Sequence, residues 1–416
     1  MAIVTQLNTP TSPAASAASD PGSAPTTGKA AAALLALSIG GFGIGLTEFV
    51  IAGLLTEVAT DLEVTVSQAG RLVGGYALAV VPGAVAITPL LMRRPPKYAL
   101  ALLLAFFVVG NALSASAPNY EVMFAGRIVA ALAHGGYFGI GAVLAAALVP
   151  AHRKASAVAA LFAGLTVANV LGVPAGAFVG QQFGWRSVFW IIAGVGILAL
   201  AGLIALVPRT RPEQNQLPLR QQFRALARPQ VLTSLATTAL VFGGMFGTFT
   251  YVEPLLRDVT GYSAPAVPWL LVLFGVGLLA GNLIGGRAAD KHPDNAVLVL
   301  SILLPAVILG LGAVATMPLP TAVMLTLLGA IGFATVPGLQ ARVLRHATGA
   351  ATLASATNIA AFNLGNTIGV SLAGAALAAG HGLRSPTVTG AALTLVGLAL
   401  VVAARLATRR RNAPPR

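Results

Sequence analysis

The chain contains no cysteine, and this single absence removes disulfide frameworks, thiol nucleophiles, Cys-ligated zinc and iron–sulfur clusters. Charge is scarce as well: Asp, Glu, Lys and Arg together make up 9% of 416 residues, where soluble domains carry about a quarter. The five histidines form no pair at metal-ligand spacing, and no P-loop, HExxH or nucleophile elbow occurs. Neither a metal, a cofactor nor an enzymatic nucleophile is expected, and ATP is not the expected source of work. What fills the space is apolar. Hydrophobic residues supply 56% of the chain and the mean hydropathy is +0.85, the composition of a membrane protein.

Twelve apolar segments follow one another at roughly 31–55, 68–92, 97–116, 121–149, 155–180, 186–207, 229–256, 264–287, 295–316, 319–344, 350–379 and 386–406. Most are long enough to cross a hydrocarbon layer of ~30 Å as helix, at ~1.5 Å per residue. Lipid offers the backbone no hydrogen-bond partner, and uniformly apolar runs of about 20 residues do not suit barrel strands, so an all-α membrane protein of twelve transmembrane helices is expected. Residues 1–29, rich in Ala, Ser, Thr and Pro, read as a disordered cytoplasmic tail. The longest internal loop, 208–228, contains Pro208, Pro212 and Pro218 and reads as a cytoplasmic linker between six-helix bundles at 30–207 and 229–406; a basic cytoplasmic tail follows at 407–416.

The formal net charge of +14 is explained by topology. Lys and Arg are retained on the cytoplasmic side of a membrane. Starting inside, twenty of them fall in tails and inner loops, four (Arg71, Arg186, Arg257, Arg384) at outer ends, and Arg127 within a helix. The outer loops carry acids instead, among them Glu57, Asp61, Glu63, Glu121 and Asp258. Both termini are therefore expected in the cytoplasm of a multi-pass protein of the cytoplasmic membrane, and a nucleic-acid partner is not.

The two halves match at a fixed offset. Thr88 to Lys97 corresponds to Gly286 to Asn295, and Asn169-Val-Leu-Gly172-Val to Asn366-Thr-Ile-Gly369-Val. Paired halves of this kind mark secondary transporters, with the substrate between them near the bilayer midplane.

Two charges are then left deep in helices, Glu48 and Arg127, each about 9–11 Å from the outer end of its segment by residue count. A charge at such depth costs at least ~2.5–3.5 kcal/mol, so it faces a cavity or a partner. The two are placed to pair, either as a proton carrier held beside a cation or as a permanent ion pair that only fixes packing. Gly41, Gly45 and Ala52 share the Glu48 face and form a small-residue stripe. His134, two turns beyond Arg127, reads equally as a proton relay or substrate ligand and as a hydrogen-bonded structural group. Asn169, Asn363 and Asn366 lie near the midplane as cavity lining or interhelical glue, with Gln340 and Tyr76 as further cavity candidates. Phe242, Phe246 and Thr250 share a face of the seventh helix, either packing or, at Phe246, lining the cavity. Gly172, Pro174 and Gly176 in the fifth helix read as a hinge or a tight seam.

These residues resemble the major facilitator superfamily, in its drug:proton antiporter branch, near the arabinose-efflux-like and chloramphenicol-exporter-like permeases. The resemblance runs from about residue 34 to 400 and is carried by Gly43-Ile-Gly-Leu-Thr-Glu48-Phe-Val-Ile-Ala-Gly-Leu-Leu55, Gly126-Arg127, His134-Gly-Gly-Tyr-Phe-Gly139, Gly164 to Pro174, Gly184-Trp-Arg186 and Asn358 to Asn366. It implies the major facilitator fold and places the proton-exporter signatures on Arg127 and on Gly172, Pro174 and Gly176. The family's loop after the second helix is eroded here, with Thr88, Met92 and Pro95 at its glycine, aspartate and second glycine; the second copy, Gly286-Arg-Ala-Ala-Asp290-Lys291, keeps the aspartate as a conformational lock. The expectation is proton-coupled efflux of small amphiphiles of chloramphenicol type by one chain acting as a monomer. Sugar or metabolite efflux and uncoupled facilitation stand as alternatives.

Overall fold

The computed structural model describes residues 27–91, 94–150, 153–208, 218–347 and 350–411. Twelve helices among them are long and apolar enough to cross a membrane: α1 Gly28–Gly53, α2 Val66–Leu91, α3 Pro96–Ala115, α4 Tyr120–Ala147, α5 Ala157–Phe183, α6 Trp185–Leu206, α7 Pro229–Thr250, α8 Ala264–Ala289, α9 Asp294–Ala313, α10 Pro318–His346, α11 Leu353–Ala378 and α12 Ser385–Leu406. The expected tail at 1–29 and the linker centre lie largely outside the described residues. Within the linker stretch, Leu219–Leu226 forms a short helix, and the backbone of α12 stays helical to Arg411.

Local chemistry sets the boundaries. Thr65 and Gln68 make a reciprocal capping box at the start of α2, and Asn119 accepts from the Val122 N–H to open α4. α7 stops at Thr250, short of the expected 256, and the chain continues through short turns at Val252–Pro254 and Leu255–Val259. Two prolines widen the turn before them. Pro174 cannot donate to the carbonyl one turn back, and the N–H of Val173 instead reaches Ala168, giving a π turn over Ala168–Gly172 in α5. Pro89 does the same in α2, where Thr88 reaches Gly83 across Gly83–Ile87.

The halves repeat in packing as they do in sequence. In the first, α1 packs on α5 and α6, α2 on α4, and α3 on α4 and α6; in the second, α7 packs on α11 and α12, α8 on α10, and α9 on α10 and α12. Glycine makes the closest of these seams possible. A Cβ at Gly41 would sit 2.8 Å from the Leu161 carbonyl on α5, and one at Gly247 would sit 2.6 Å from the Gly369 carbonyl on α11.

Between the halves, α2 meets α11 and α5 meets α8, again a symmetric pair of seams. At the end carrying the acidic loops the halves are tied together. Ser67 donates to the Gly374 carbonyl (2.8 Å), Thr367 to the Gly74 carbonyl (3.1 Å), and Arg257 pairs with Glu57 (3.0 Å). At the basic end several polar contacts run within halves: Lys97 donates to the Ile204 and Val207 carbonyls, Arg345 pairs with Asp294, and Arg405 bonds Asn295.

Candidate functional site

A cavity of about 520 Å³ lies between the halves. It starts at Glu48 and Asn169 at mid-depth and runs toward Val158, Leu344 and Ser355, close to the basic-face ends of α5, α10 and α11. The first half lines it with Phe49, Phe138 and Phe162 besides Glu48, His134 and Asn169, and the second with Phe242, Phe333 and Phe362 and the amides of Asn282, Gln340, Asn363 and Asn366. The cavity thus reaches toward the basic face, while the halves are tied together at the other.

Glu48 stands in the last α-helical turn of α1, just before the helix tightens at Val50–Gly53, and is buried to 6% exposure. The expected pair with Arg127 does not form. Arg127 is 1% exposed and turns to the neighbouring residue: its Nη1 donates to the Thr47 carbonyl (2.5 Å) and hydroxyl (3.1 Å), and its guanidinium lies 4.2 Å from the centre of the Tyr76 ring. Thr47 can accept this bond because its own proton goes to Asn111 Oδ1 at 2.6 Å, while Asn111 donates to the Phe107 carbonyl. Nε and Nη2 of Arg127 have no partner among the described residues. Glu48 instead has the His134 imidazole beside it, with Nδ1 3.8 Å from Oε2. The same Nδ1 is 3.4 Å from the Tyr76 hydroxyl, so His134 bridges Tyr76 and Glu48.

Tyr76 and Phe246 fall outside the cavity wall. Tyr76 is buried behind it under Arg127, and Phe246 packs edge-on against Phe49 with ring centres 5.3 Å apart. The face shared by Phe242 and Phe246 meets the cavity only at Phe242. Asn169, Asn363 and Asn366 do line it. Asn169 and Asn363 each donate to the carbonyl one turn back, Leu165 and Ile359, and the Oδ1 atoms of Asn363 and Asn366 are buried without a partner among the described residues. Gln340 joins a chain in which Asn358 donates to its Oε1 and its Nε2 donates to Ser355 (2.9 Å).

Gly172 and Gly176 form the seam on α1, where a Cβ would press on Leu46 and Val50, and Pro174 shapes the π turn beside them. On its other side that turn meets the second half: a Cβ at Gly275 of α8 would come within 2.8 Å of Val170. The side chain of Asp290 lies outside the described residues. Sequence reasoning missed Thr47 and Asn111, whose signal was only a pair of polar residues in apolar helices, and Asn282. It also missed Glu253, which was counted inside an apolar run.

The described residues contain no group of three His, Cys, Asp or Glu placed to hold a metal ion. The geometry is that of a path between two bundles. The model of the Major Facilitator Superfamily matches residues 37–268 and 252–416. The chain is 42% identical over 373 residues to the inner membrane transport protein YdhP of Escherichia coli strain K12, covering 89% of this chain and 94% of that one. It is 35% identical over 376 residues to a chloramphenicol resistance protein of Streptomyces lividans, covering 89% and 95%. A solved bacterial homologue of the human lysosomal transporter Spinster, inward-facing and unoccupied, superposes with a TM-score of 0.72 at 18% identity over 95% of this chain and all of that one. The twelve spans, the paired halves and these matches place the chain in the major facilitator superfamily, as a multi-pass membrane transporter rather than an enzyme.

Proposed function

We propose that the protein exports small, neutral amphiphilic molecules across the cytoplasmic membrane in exchange for protons, with Glu48 as the proton carrier. The observation that carries this reading is the position of Glu48: a carboxyl in the wall of the inter-half cavity, with Arg127 held away from it by Thr47. A group so placed meets whichever solution the cavity opens to. On this reading the basic end, which the cavity approaches, faces the cytoplasm, and the tied end faces outside, as the distribution of Lys and Arg supports. In the outward-open form Glu48 takes up a proton as substrate leaves; in the inward-open form it gives up that proton, directly or through His134, as substrate enters. The symmetric seams α2–α11 and α5–α8 are the surfaces on which the bundles rock, and one chain supplies both walls, so a monomer suffices.

The energy is adequate. At ~100 mV and one pH unit a proton supplies about 2.3 plus 1.4 kcal/mol, enough for roughly a 500-fold gradient of a neutral solute. A single carboxyl among rings and amides favours uncharged amphiphiles over multivalent cations, and the resistance relative supports a phenicol-like substrate. The amide-rich second wall favours one other reading, efflux of a polyhydroxylated metabolite such as a sugar.

The test is counterflow in proteoliposomes with an imposed pH gradient, run on phenicols, sugars and cationic dyes. Wild type should concentrate a phenicol against its gradient, and Glu48→Gln should only equilibrate it. Accumulation by Glu48→Gln would reject the proton assignment.

A further inference from the structure

At the outer face, Glu253 sits in the turn just beyond α7 and is fully buried, with 0% exposure. Its Oε2 accepts from the Thr56 N–H (3.2 Å) and hydroxyl (2.5 Å) of the other half, and its Oε1 accepts from Arg257 Nη1 (3.1 Å). The same Nη1 donates to Glu57 Oε1 at 3.0 Å, and Glu57 Oε2 is buried without a partner among the described residues. One guanidinium thus serves two carboxylates across the junction of the halves. The other acids nearby do not change the balance: Asp61, on the short helix that carries Glu57, is taken by Arg186, and Asp258 is exposed beside Arg257. Glu57 and Glu253 stand 196 residues apart, close to the offset that relates the halves.

We propose that Glu253, held against Thr56, Glu57 and Arg257 at the junction, is a second proton site: it takes up one proton from the outer solution when this face closes and returns it to the same solution when it opens. Closure buries Glu253 fully and leaves Glu57 and Arg257 part-buried beside it, two carboxylates to one guanidinium, and an unbalanced buried carboxylate is neutralised by protonation at far lower cost than it is desolvated. Burial pushes the Glu253 carboxyl above the ordinary range; the Thr56 hydrogen bond opposes this, the Glu57 charge adds to it, and Arg257 opposes it.

The sign follows from linkage. The closed form binds the proton more tightly than the open form, so closure is fully supported below the ordinary glutamate range of about 4.3 and weakens as outer pH rises through the raised value. One linked proton limits the change in the closed-to-open ratio to about tenfold per pH unit. This proton never crosses the membrane. It sets how readily the carrier turns outward, and it requires only that the halves part at this face, whatever Glu48 does.

A chain without cysteine allows a clean test. Spin labels on Ser116→Cys and Ser263→Cys, exposed at the outer face of the two halves, report its opening in the full chain in lipid nanodiscs. Measured in a Glu48→Gln background from pH 5 to 8, the short-distance population should fall with pH. Adding Glu253→Gln, or Glu57→Gln should the first not fold, should hold the ratio constant and closed. A pH response of unchanged size in both variants overturns the proposal. The proton-carrier assignment is judged separately by accumulation in Glu48→Gln, so either can fail alone.

Discussion

The two walls of the cavity come from repeated halves with the same helix pairings, yet they carry different chemistry. The first half contributes Glu48, with His134 beside it and Arg127 one helix face away; the second contributes amides and three phenylalanine rings. At the offsets that relate the halves, the positions matching Glu48 and Arg127 hold Met245-Phe246 and Met324-Leu325. Each buried charge costs insertion energy and must be compensated. A single acidic wall gives one carboxyl to couple, and the neutral wall is left free to fit a substrate. Under the proposed proton-coupled export, energy conversion falls to the first half and recognition mainly to the second.

The sharpest way to break this asymmetry is to remove the charge. Glu48→Gln should reduce a roughly 500-fold accumulation to equilibrium, measured as the final inside-to-outside ratio under a one-unit pH gradient and ~100 mV. Next in size is Arg127→Lys. An ammonium cannot hold the Thr47 carbonyl and lie flat over Tyr76 together, and losing one charge-assisted bond of about 1.5–3 kcal/mol should slow coupled transport by roughly tenfold to a hundredfold. The passive exchange rate in the same vesicles should stay near wild type, because the cavity wall is untouched.

How much of this was legible in the sequence follows one rule: position along a helix can be counted, but azimuth around it cannot. Glu48, Arg127 and His134 stand out because titratable groups in an apolar run are rare, and the similar depth of Glu48 and Arg127 follows from residue counts. Which side of α1 Arg127 approaches is a matter of helix rotation, and it meets Thr47 rather than Glu48. The same limit explains Phe246. Spacing puts it on one face with Phe242, but whether that face meets the cavity or Phe49 depends on a neighbour from the other half. Glu253 was hidden for a different reason. The turn after Thr250 is as apolar as the helix before it, so hydropathy alone ran the span past its true end. The repeat held the missing signal, since Glu57 in the first half has its counterpart there.

The second wall is tested by smaller effects. Phe333→Ala removes a ring that packs edge-on with Phe242 in the cavity lining, centres 5.6 Å apart. At about 0.5–1.5 kcal/mol per aromatic contact, KM for an aryl substrate should rise roughly twofold to twelvefold with the maximal coupled gradient unchanged. A drop in that gradient at saturating substrate would show that the second half takes part in coupling, and the division would fail.

The finest distinction is between two amides of that wall. The Oδ1 of Asn366 has no partner among the described residues, whereas Gln340 is bonded on both sides, to Asn358 and Ser355. An acceptor already satisfied within the protein gains little from a substrate, while one without a partner gains a full hydrogen bond of about 0.5–1.5 kcal/mol. Asn366→Ala should therefore raise KM for a donor-bearing substrate roughly twofold to tenfold. Gln340→Ala should leave KM within about twofold and instead lower thermal stability by a similar 0.5–1.5 kcal/mol, because it unties α10 from α11. Measured side by side by transport and by thermal unfolding, the two variants should move opposite readouts. If Gln340→Ala shifts KM and spares stability, the Gln340 chain belongs to the substrate surface and the recognition wall extends toward the basic face.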